Sequence, residues 1–174
     1  MKARTLPGAI GSTLPIFLTL AVAACASVGS LVAGQSSVDD VRRILGEPAL
    51  SWRGPDGSQR LAYPRGPAGF QTLMVDLDAT GQLRRVENVL DAAHFADVVP
   101  GMDKQQVLRL LGPSQPQWTI YFKARDELAW EWRYCDDWNS AARFDVLFDA
   151  TREMVRSTLS IRESCNNDNC TCGR

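Results

Sequence analysis

Apolar residues recur at helical spacing in two short segments of this chain. Each segment presents a three-residue apolar face, formed by Val41, Ile44 and Leu45 in the first and by Val107, Leu110 and Leu111 in the second. Ser37 and Asp103 precede these faces and can accept hydrogen bonds from the free N–H groups of a first helical turn. Gly46 and Gly112 follow, each with a proline within two residues, which is typical of a helix end. The pattern predicts two short, capped helices.

Strand-like segments follow each predicted helix. After the first helix we predict strands at residues 59–63, 70–77 and 83–90, and after the second at residues 118–122, 127–134, 142–148 and 154–161. Apolar and polar residues alternate most clearly in 128–134 and 144–148. Residues 78–81 and 149–152 are predicted turns between antiparallel neighbours. We expect an α+β fold of two tandem units, each a short helix or helical hairpin packed on a three- to four-stranded antiparallel sheet.

The two sets of elements are also related in sequence, which indicates an internal duplication. In the same order along the chain, residues 41–46 match 107–112, residues 61–63 match 128–130, and residues 75–80 match 146–151. We therefore predict a first unit at residues 37–95, a second unit at 96–162, and a cysteine-containing C-terminal tail at 163–174.

The N-terminal segment has the pattern of an export signal. Lys2 and Arg4 precede an uncharged run whose apolar core, residues 16–22, is shorter than the about 20 residues that a membrane-spanning helix needs. We predict a signal peptide at residues 1–24. Residues 25–36, which are small and weakly polar, are the predicted tether between the membrane and the folded part of the chain.

The residues at the predicted cleavage point carry a second signal. The sequence Val22-Ala23-Ala24-Cys25 resembles the lipobox of bacterial lipoproteins, in which the cysteine receives acyl chains such as palmitate. The resemblance implies that Cys25 is the lipidated first residue of the mature protein. The alternative is a secreted protein cut near this point, in which Cys25 carries no lipid. Ala26 stands where lipoproteins of the inner membrane typically carry Asp, which favours the outer membrane by analogy.

Charge and residue content exclude several functions. The 174 residues include 19 basic and 20 acidic side chains, a formal net charge of -1, so no basic surplus attracts nucleic acid. His94 is the only histidine, which leaves a histidine-based triad or a two-histidine metal site without a second member. Asp136 and Asp137 are adjacent, and we interpret them as solvated. We predict no catalytic residue, no metal and no cofactor.

A calcium-loop spacing occurs between two predicted strands. Asp76, Asp78, Gly81 and Glu87 occupy four positions of the calcium-binding consensus. The flanking segments alternate as strands do, whereas a calcium loop of this type lies between helices. The pattern therefore predicts a β-hairpin.

Four cysteines remain after Cys25. In an oxidising compartment an even number indicates two disulfides, formed among Cys135, Cys165, Cys170 and Cys172. The alternatives are free or mixed thiols and a metal site, although the spacing is not that of a zinc ribbon. A bond from Cys135 to the tail would fasten the C-terminus to the second sheet.

The predicted partner-binding surface is the connection between the first two predicted strands. Its residues are Tyr63, Pro64, Arg65, Gly66, Pro67 and Phe70. Two prolines stiffen the segment, and tyrosine and arginine are favoured at interface hot spots. The alternative is an ordinary strand connection whose aromatic side chains enter the core.

The order of these motifs resembles one known family. Residues 100–113, a glycine and a short helix ending in Leu-Gly-Pro, and the strand segments 129–134 and 144–149 resemble the SmpA/OmlA (BamE-like) outer-membrane lipoproteins. The first unit is a looser copy. Arg152 replaces the family's usual turn glycine, and the cysteine tail is outside the pattern. The tandem arrangement is also similar to that of β-lactamase inhibitory proteins, which bind an enzyme.

The resemblance implies a periplasm-facing accessory lipoprotein that helps outer-membrane assembly or envelope integrity. We expect a non-catalytic protein, anchored to the outer membrane by lipid, that binds other envelope proteins. The barrel-assembly machinery is the partner that the family suggests. The alternative is a periplasmic inhibitor-type module that occludes an enzyme. A catalytic function ranks third, and a deep pocket with polar groups around His94 would favour it.

Overall fold

A computed structural model describes residues 27–65, 69–164 and 172 of this chain. The predicted signal peptide at 1–24, the lipidation site Cys25 and the start of the tether lie outside the described residues. Gly66 and Pro67 of the predicted binding loop, and Cys165 and Cys170 of the tail, also lie outside them.

The described chain contains helices and strands in a repeated order. The α-helices are α1 (Val38–Leu45), α2 (Ala92–Ala96) and α3 (Lys104–Leu111), and short 3-10 turns span Val28–Ser30, Pro116–Trp118 and Lys123–Arg125. The strands are β1 (Leu50–Arg53), β2 (Gln59–Pro64), β3 (Thr72–Leu77), β4 (Leu83–Asn88), β5 (Ile120–Phe122), β6 (Glu127–Cys135), β7 (Ala141–Asp149) and β8 (Met154–Arg162). A 3-10 turn and α1 precede β1–β4, and α2 and α3 precede β5–β8.

The strands form two four-stranded sheets, with the orders β1-β2-β3-β4 and β5-β6-β7-β8. Every pairing is antiparallel and joins consecutive strands. The predicted α+β class is therefore confirmed. β1 was not predicted because its four residues are too few to show a period. The predicted boundary between the units, at residues 95 and 96, falls inside α2.

The two eight-residue helices begin and end as the sequence predicts. Ser37 Oγ accepts a hydrogen bond from Asp40 N (3.2 Å), and Asp40 Oδ2 accepts one from Ser37 N (2.9 Å). Asp103 makes the same reciprocal cap at the start of α3. At the end of α3, Gly112 has a φ of 73°, and a Cβ there would lie 2.7 Å from Thr72 Cγ2. Glycine is therefore required at this position for both its backbone angle and its close contact with β3.

The first sheet buries apolar side chains on both faces. On one face Leu61 and Val75 pack with Val41 of α1. On the other, Ala62 and Met74 join a core that includes α3 and the second sheet, with Trp132, Phe144 and Phe148 among its buried residues. This shared core connects the two sheets through α2 and α3. Burying one large side chain in such a core stabilises the fold by about 1.5–3 kcal/mol.

The candidate calcium loop is a β-hairpin, as predicted. It joins β3 to β4, and Asp78 Oδ1 accepts hydrogen bonds from the N–H groups of Thr80 (2.9 Å) and Gln82 (3.0 Å). Gly81 has a φ of 82° in this turn. A hydrogen bond from the Thr80 hydroxyl is the largest cause that holds the pKa of Asp78 below its ordinary range. The hydrogen bonds from the two N–H groups lower this pKa further.

A disulfide joins Cys135 to Cys172, with a Cα–Cα distance of 5.9 Å. Cys135 is the last residue of β6, and Cys172 N donates a hydrogen bond to Asn139 O (3.0 Å) in the β6–β7 turn. The predicted bond between Cys135 and the tail is thus present, and it fastens this part of the C-terminus to the second sheet.

Candidate functional site

The second sheet has one buried face and one half-buried face. Alternation along β6 and β7 directs Trp132 and Phe144 into the shared core and places Glu131, Arg133 and Arg143 on the opposite side. On that side the structure brings together seven residues that we call the charged face: Phe70, Trp118, Glu131, Arg133, Arg143, Asp145 and Glu163.

Like charges lie directly opposite each other on this face. Arg133 of β6 pairs in register with Arg143 of β7, and Glu131 pairs with Asp145. Such cross-strand pairs destabilise a sheet unless a counter-charge is close. The arrangement therefore needs additional groups to compensate it.

Glu163, directly after β8, supplies the counter-charge for the arginine pair. Arg133 donates to both of its carboxylate oxygens, each at 2.7 Å. Arg143 Nε also donates to Glu163 Oε1 (3.1 Å), while Arg143 Nη1 donates to Glu131 Oε1 (3.1 Å). Hydrogen bonds from Arg133 are the largest cause that holds the pKa of Glu163 below its ordinary range. A bidentate pair of this kind fixes the position of the guanidinium plane.

The pKa values of the opposed carboxyl groups, Glu131 and Asp145, shift in the opposite direction to that of Glu163. Burial is the largest cause that raises the pKa of both Glu131 and Asp145. For Glu131 the Asp145 charge raises the pKa further, against the lowering effect of Arg143. The charged form of this pair is thus disfavoured, although both groups lie on the outer side of the sheet.

Aromatic rings cover the two arginines. The guanidinium of Arg133 lies 4.2 Å from the centre of the Phe70 ring, and that of Arg143 lies 5.0 Å from the centre of the Trp118 ring. Cation–π contacts of this kind attract the guanidinium groups to the aromatic rings and help to keep them in place. Phe70 comes from the β2–β3 connection of the first sheet, so this face contains residues from both halves of the chain.

An apolar edge adjoins the charged face along β5. Its three residues Ile120, Tyr121 and Phe122 are 48%, 54% and 36% exposed. β5 pairs with β6 on one side and is an edge strand in the described sheet. Trp138, which is 77% exposed, lies in the β6–β7 turn at the other end of β6 and is not part of this apolar edge. Large apolar side chains grouped at an open sheet edge are typical of protein-interaction sites.

The predicted binding loop is divided between two environments. Tyr63 is 5% exposed and packs in the core beside α1, and burial raises its pKa. Its hydroxyl has no hydrogen-bond partner among the described residues. Pro64 ends β2, Arg65 is exposed, and Phe70 contacts the charged face. One aromatic residue thus enters the core, and the other reaches the charged face.

His94 makes local polar contacts in α2. Its Nδ1 lies 2.8 Å from Asp91 Oδ1, and its Nε2 lies 3.8 Å from Glu87 Oε2. Within the described residues, no three His, Cys, Asp or Glu side chains are grouped so that they could hold a metal ion. The described residues also contain no helix of the length and apolar character needed to cross a membrane.

Sequence reasoning missed most of this site. The alternation of β6 and β7 was recognised, but none of Glu131, Arg133, Arg143 and Asp145 was named as a candidate site residue. The opposition of like charges depends on the register between strands, which the sequence does not give. Trp118 was predicted to lie within a strand, but it is the last residue of a 3-10 turn. Gln115, directly before this turn, donates its backbone N–H to Glu131 O (3.1 Å) and so attaches the turn to β6.

Known proteins give little guidance on this site. No family model matches the chain, and no curated protein matches it. It is similar to the solved structure of an extracellular protein containing an SCP domain from Bacillus anthracis str. Ames, with 9% identity and a TM-score of 0.30 over 90% of this chain. The chain spans 57% of the length of that protein. The likeness is too low to carry an argument about fold or function.

Proposed function

We propose that this chain is a non-catalytic lipoprotein of the bacterial outer membrane that binds other envelope proteins on the periplasmic side. Its role in this proposal is accessory to outer-membrane protein assembly or to envelope integrity. The lipobox-like sequence that ends at Cys25 supports the anchor, and the BamE-like motif order supports the role. The barrel-assembly machinery is the proposed partner.

The proposal includes the tandem organisation. Each sheet follows a helical pair whose second helix has a capping box at its start and a glycine after its end. α1 packs on the first sheet, and α3 packs in the shared core with the second. This repeated order supports two copies of one helix-on-sheet unit, in agreement with the repeated sequence segments.

The observation that carries the binding function is the apolar edge beside the charged face. Ile120, Tyr121 and Phe122 expose apolar surface at a strand edge, and the neighbouring face contains guanidinium groups in contact with aromatic rings. Arginine and aromatic side chains are the types that dominate protein interfaces. Their fixed positions reduce the conformational entropy that a partner's binding would cost.

A photo-crosslinking amino acid at position 121 tests this function in living cells. We expect the modified chain to capture outer-membrane barrel-assembly components, identified by mass spectrometry. The same probe at Val32, which is 45% exposed and outside the apolar edge, is the matched control. Capture of these components from both positions alike, or from neither, would argue against binding through the apolar edge.

The membrane anchor needs a separate test. Replacing Cys25 with Ala removes the proposed acyl attachment, and more than one acyl chain is needed for lasting membrane binding. We expect the variant to move from the membrane fraction to the soluble periplasm, while the unmodified chain stays with the membrane. Unchanged fractionation of the Cys25→Ala variant would contradict the anchor.

The aromatic residues on the second sheet also favour one alternative function. A sheet face with Phe70 and Trp118 above it is suited to occlude an enzyme, as in an inhibitor-type module. Capture of one periplasmic enzyme at position 121, instead of barrel-assembly components, would support this alternative. Inhibition of that enzyme by the purified chain would then establish it.

A further inference from the structure

A groove of about 590 Å³ lies at one end of the first sheet, away from the apolar edge. It is bordered by the β1–β2 hairpin, by the β3–β4 end of the sheet and by α3. Its charged lining among the described residues consists of Arg53, Arg60, Arg84, Arg85, Arg109 and Asp76. Five arginines and one aspartate give this lining a formal surplus of four positive charges. The chain as a whole has a formal charge of -1, so the lining is more positive than the chain average. The carboxylates of Glu87, Asp56 and Asp78, which lie beside the lining, offset part of this charge.

Two of the arginines are compensated within the sheet. Arg60 Nη1 lies 3.0 Å from Asp76 Oδ1, and Arg85 Nη2 lies 2.9 Å from Asp76 Oδ2. Arg85 also lies 3.0 Å from Glu87 Oε1. Asp76 is thus already shared, and it leaves no carboxylate in the lining for the other three arginines.

Those three, Arg53, Arg84 and Arg109, make no hydrogen bond or ion pair within the described residues. The carboxylates of Asp56 and Asp78 lie close enough to interact with Arg84 electrostatically, and they also accept hydrogen bonds from Ser58 and Thr80 respectively. In addition, Arg60 Nε is buried and has no partner in the described part of the chain. The groove therefore holds donors without matching acceptors.

The donors come from separate elements that the fold brings together. Arg53 ends β1, Arg84 is in β4, and Arg109 is in α3. A concave surface lined mainly by one sign of charge concentrates counter-ions. A phosphoryl group suits these donors because its several oxygens can accept from more than one guanidinium fork. Trp52, half-buried in the wall, adds an apolar surface for the organic part of an ester.

We propose that this groove binds a phosphoryl-bearing anion through Arg53, Arg84 and Arg109. The groove volume lies within the about 300–1,000 Å³ range of small-molecule sites, so a phosphate ester fits better than a single inorganic ion. The ligand is either a soluble phosphate ester or the headgroup of a phosphate-bearing lipid. This site is distinct from the charged face and does not depend on the proposed protein binding.

Calorimetric titration of the full chain in neutral detergent tests the site. The soluble probes are pyrophosphate and glycerol 3-phosphate, and micelles doped with phosphatidic acid test the headgroup source through amide NMR shifts of groove residues. We expect binding that weakens with salt. Arg84→Gln combined with Arg109→Gln should lower the affinity about tenfold or more, because two charge-assisted contacts are lost. Tighter binding of glycerol 3-phosphate than of pyrophosphate identifies a free ester, and binding of doped micelles alone identifies a headgroup.

Arg152→Gln is the control, since it removes one arginine charge, as each of the two groove substitutions does, from the β7–β8 turn outside the groove. It should leave the affinity unchanged. Both variants should keep the thermal unfolding temperature of the original chain, because the replaced side chains are exposed and unpaired in the described structure. The proposal is wrong if no phosphoryl probe binds, if the double variant binds as well as the control, or if a glutamate-rich peptide binds more tightly than every phosphoryl probe.

Discussion

The two sheets share one strand order, but they differ in how many faces they bury. β3 of the first sheet is an almost continuous buried run, because Val75 faces α1 and Met74 faces the shared core. β6 and β7 of the second sheet alternate, because Trp132 and Phe144 face the core while Glu131 and Arg143 face outward. The strands of a sheet that is covered on both faces are almost continuously apolar in sequence. The strands of a half-covered sheet alternate between apolar and polar residues. The second sheet is therefore the one whose outer face is only half-buried.

The largest expected effect concerns the core that joins the sheets. Phe148 is 0% exposed and its ring centre lies 4.8 Å from that of Trp130. We expect Phe148→Ala to lower the free energy of unfolding by about 3–5 kcal/mol, because it removes a buried ring and leaves a cavity. Urea unfolding followed by circular dichroism measures this change.

A matched change on the α1 side sharpens the comparison. Val41 is also 0% exposed, but it packs between α1 and the first sheet. Val41→Ala should cost less, about 1–3 kcal/mol, since fewer buried carbons are lost. If the sheets share one core, the original chain unfolds in a single transition. Two separate transitions would show that the sheets are independent.

The next largest expected effect on stability comes from the disulfide of the second sheet. Cys135 and Cys172 are separated by 37 positions, and their bond connects the C-terminal part of the chain to the second sheet. Replacing both with Ser should lower the free energy of unfolding by about 2–4 kcal/mol, because the unfolded chain regains conformational entropy. Non-reducing peptide mapping verifies the pairing first. Equal stability of the double variant and the original chain would contradict this role.

Local signals in the sequence predicted much of the fold. Ser37 and Asp103 begin helices because their side chains accept from the next backbone turn, and Gly112 ends one because its φ is positive. Such signals act within a few residues, so they can be recognised from the sequence alone. β1 and α2 were missed because their four and five residues are too short to show periodicity.

The candidate sites depend on contacts between distant residues. Arg53, Arg84 and Arg109 reach one groove only because three elements pack together, and nothing in their sequence neighbourhoods marks them. Glu163 was assigned to the tail, yet it lies against Arg133, which is 30 positions earlier in the sequence. Register and packing produce these contacts, and neither follows from local pattern.

Glu163 gives a smaller effect that is confined to the second sheet. Its side chain is 12% exposed and compensates two opposed arginines. Glu163→Gln should lower the free energy of unfolding at neutral pH by about 1–3 kcal/mol, because Arg133 and Arg143 lose their shared counter-charge. Glu153→Gln is the control, since Glu153 is 66% exposed in its pair with Lys104 and should contribute about 1 kcal/mol or less. Equal losses in the two variants would contradict a special role for Glu163.

The pH dependence of the Glu163 variant follows from the direction of its pKa. Hydrogen bonds with the arginines lower the pKa of Glu163 in the folded chain, so its contribution is present above the unfolded pKa. That contribution is lost as the pH falls through the folded pKa. The difference between the variant and the original chain should therefore shrink in acid.

The smallest expected effect has the opposite sign and comes from Asp145. Burial raises its folded pKa, so the protonated form is favoured, and stability is lost as the pH rises through that pKa. Asp145→Asn removes the charge opposite Glu131 and should raise the free energy of unfolding at neutral pH by up to about 1 kcal/mol. The gain should disappear in acid, where both carboxyl groups are protonated. Asp137→Asn, in the exposed β6–β7 turn, should change stability by less than about 0.5 kcal/mol. If Asp145→Asn instead destabilises the chain at neutral pH, the contact between Glu131 and Asp145 stabilises the fold, and the two opposed carboxyl groups do not repel each other.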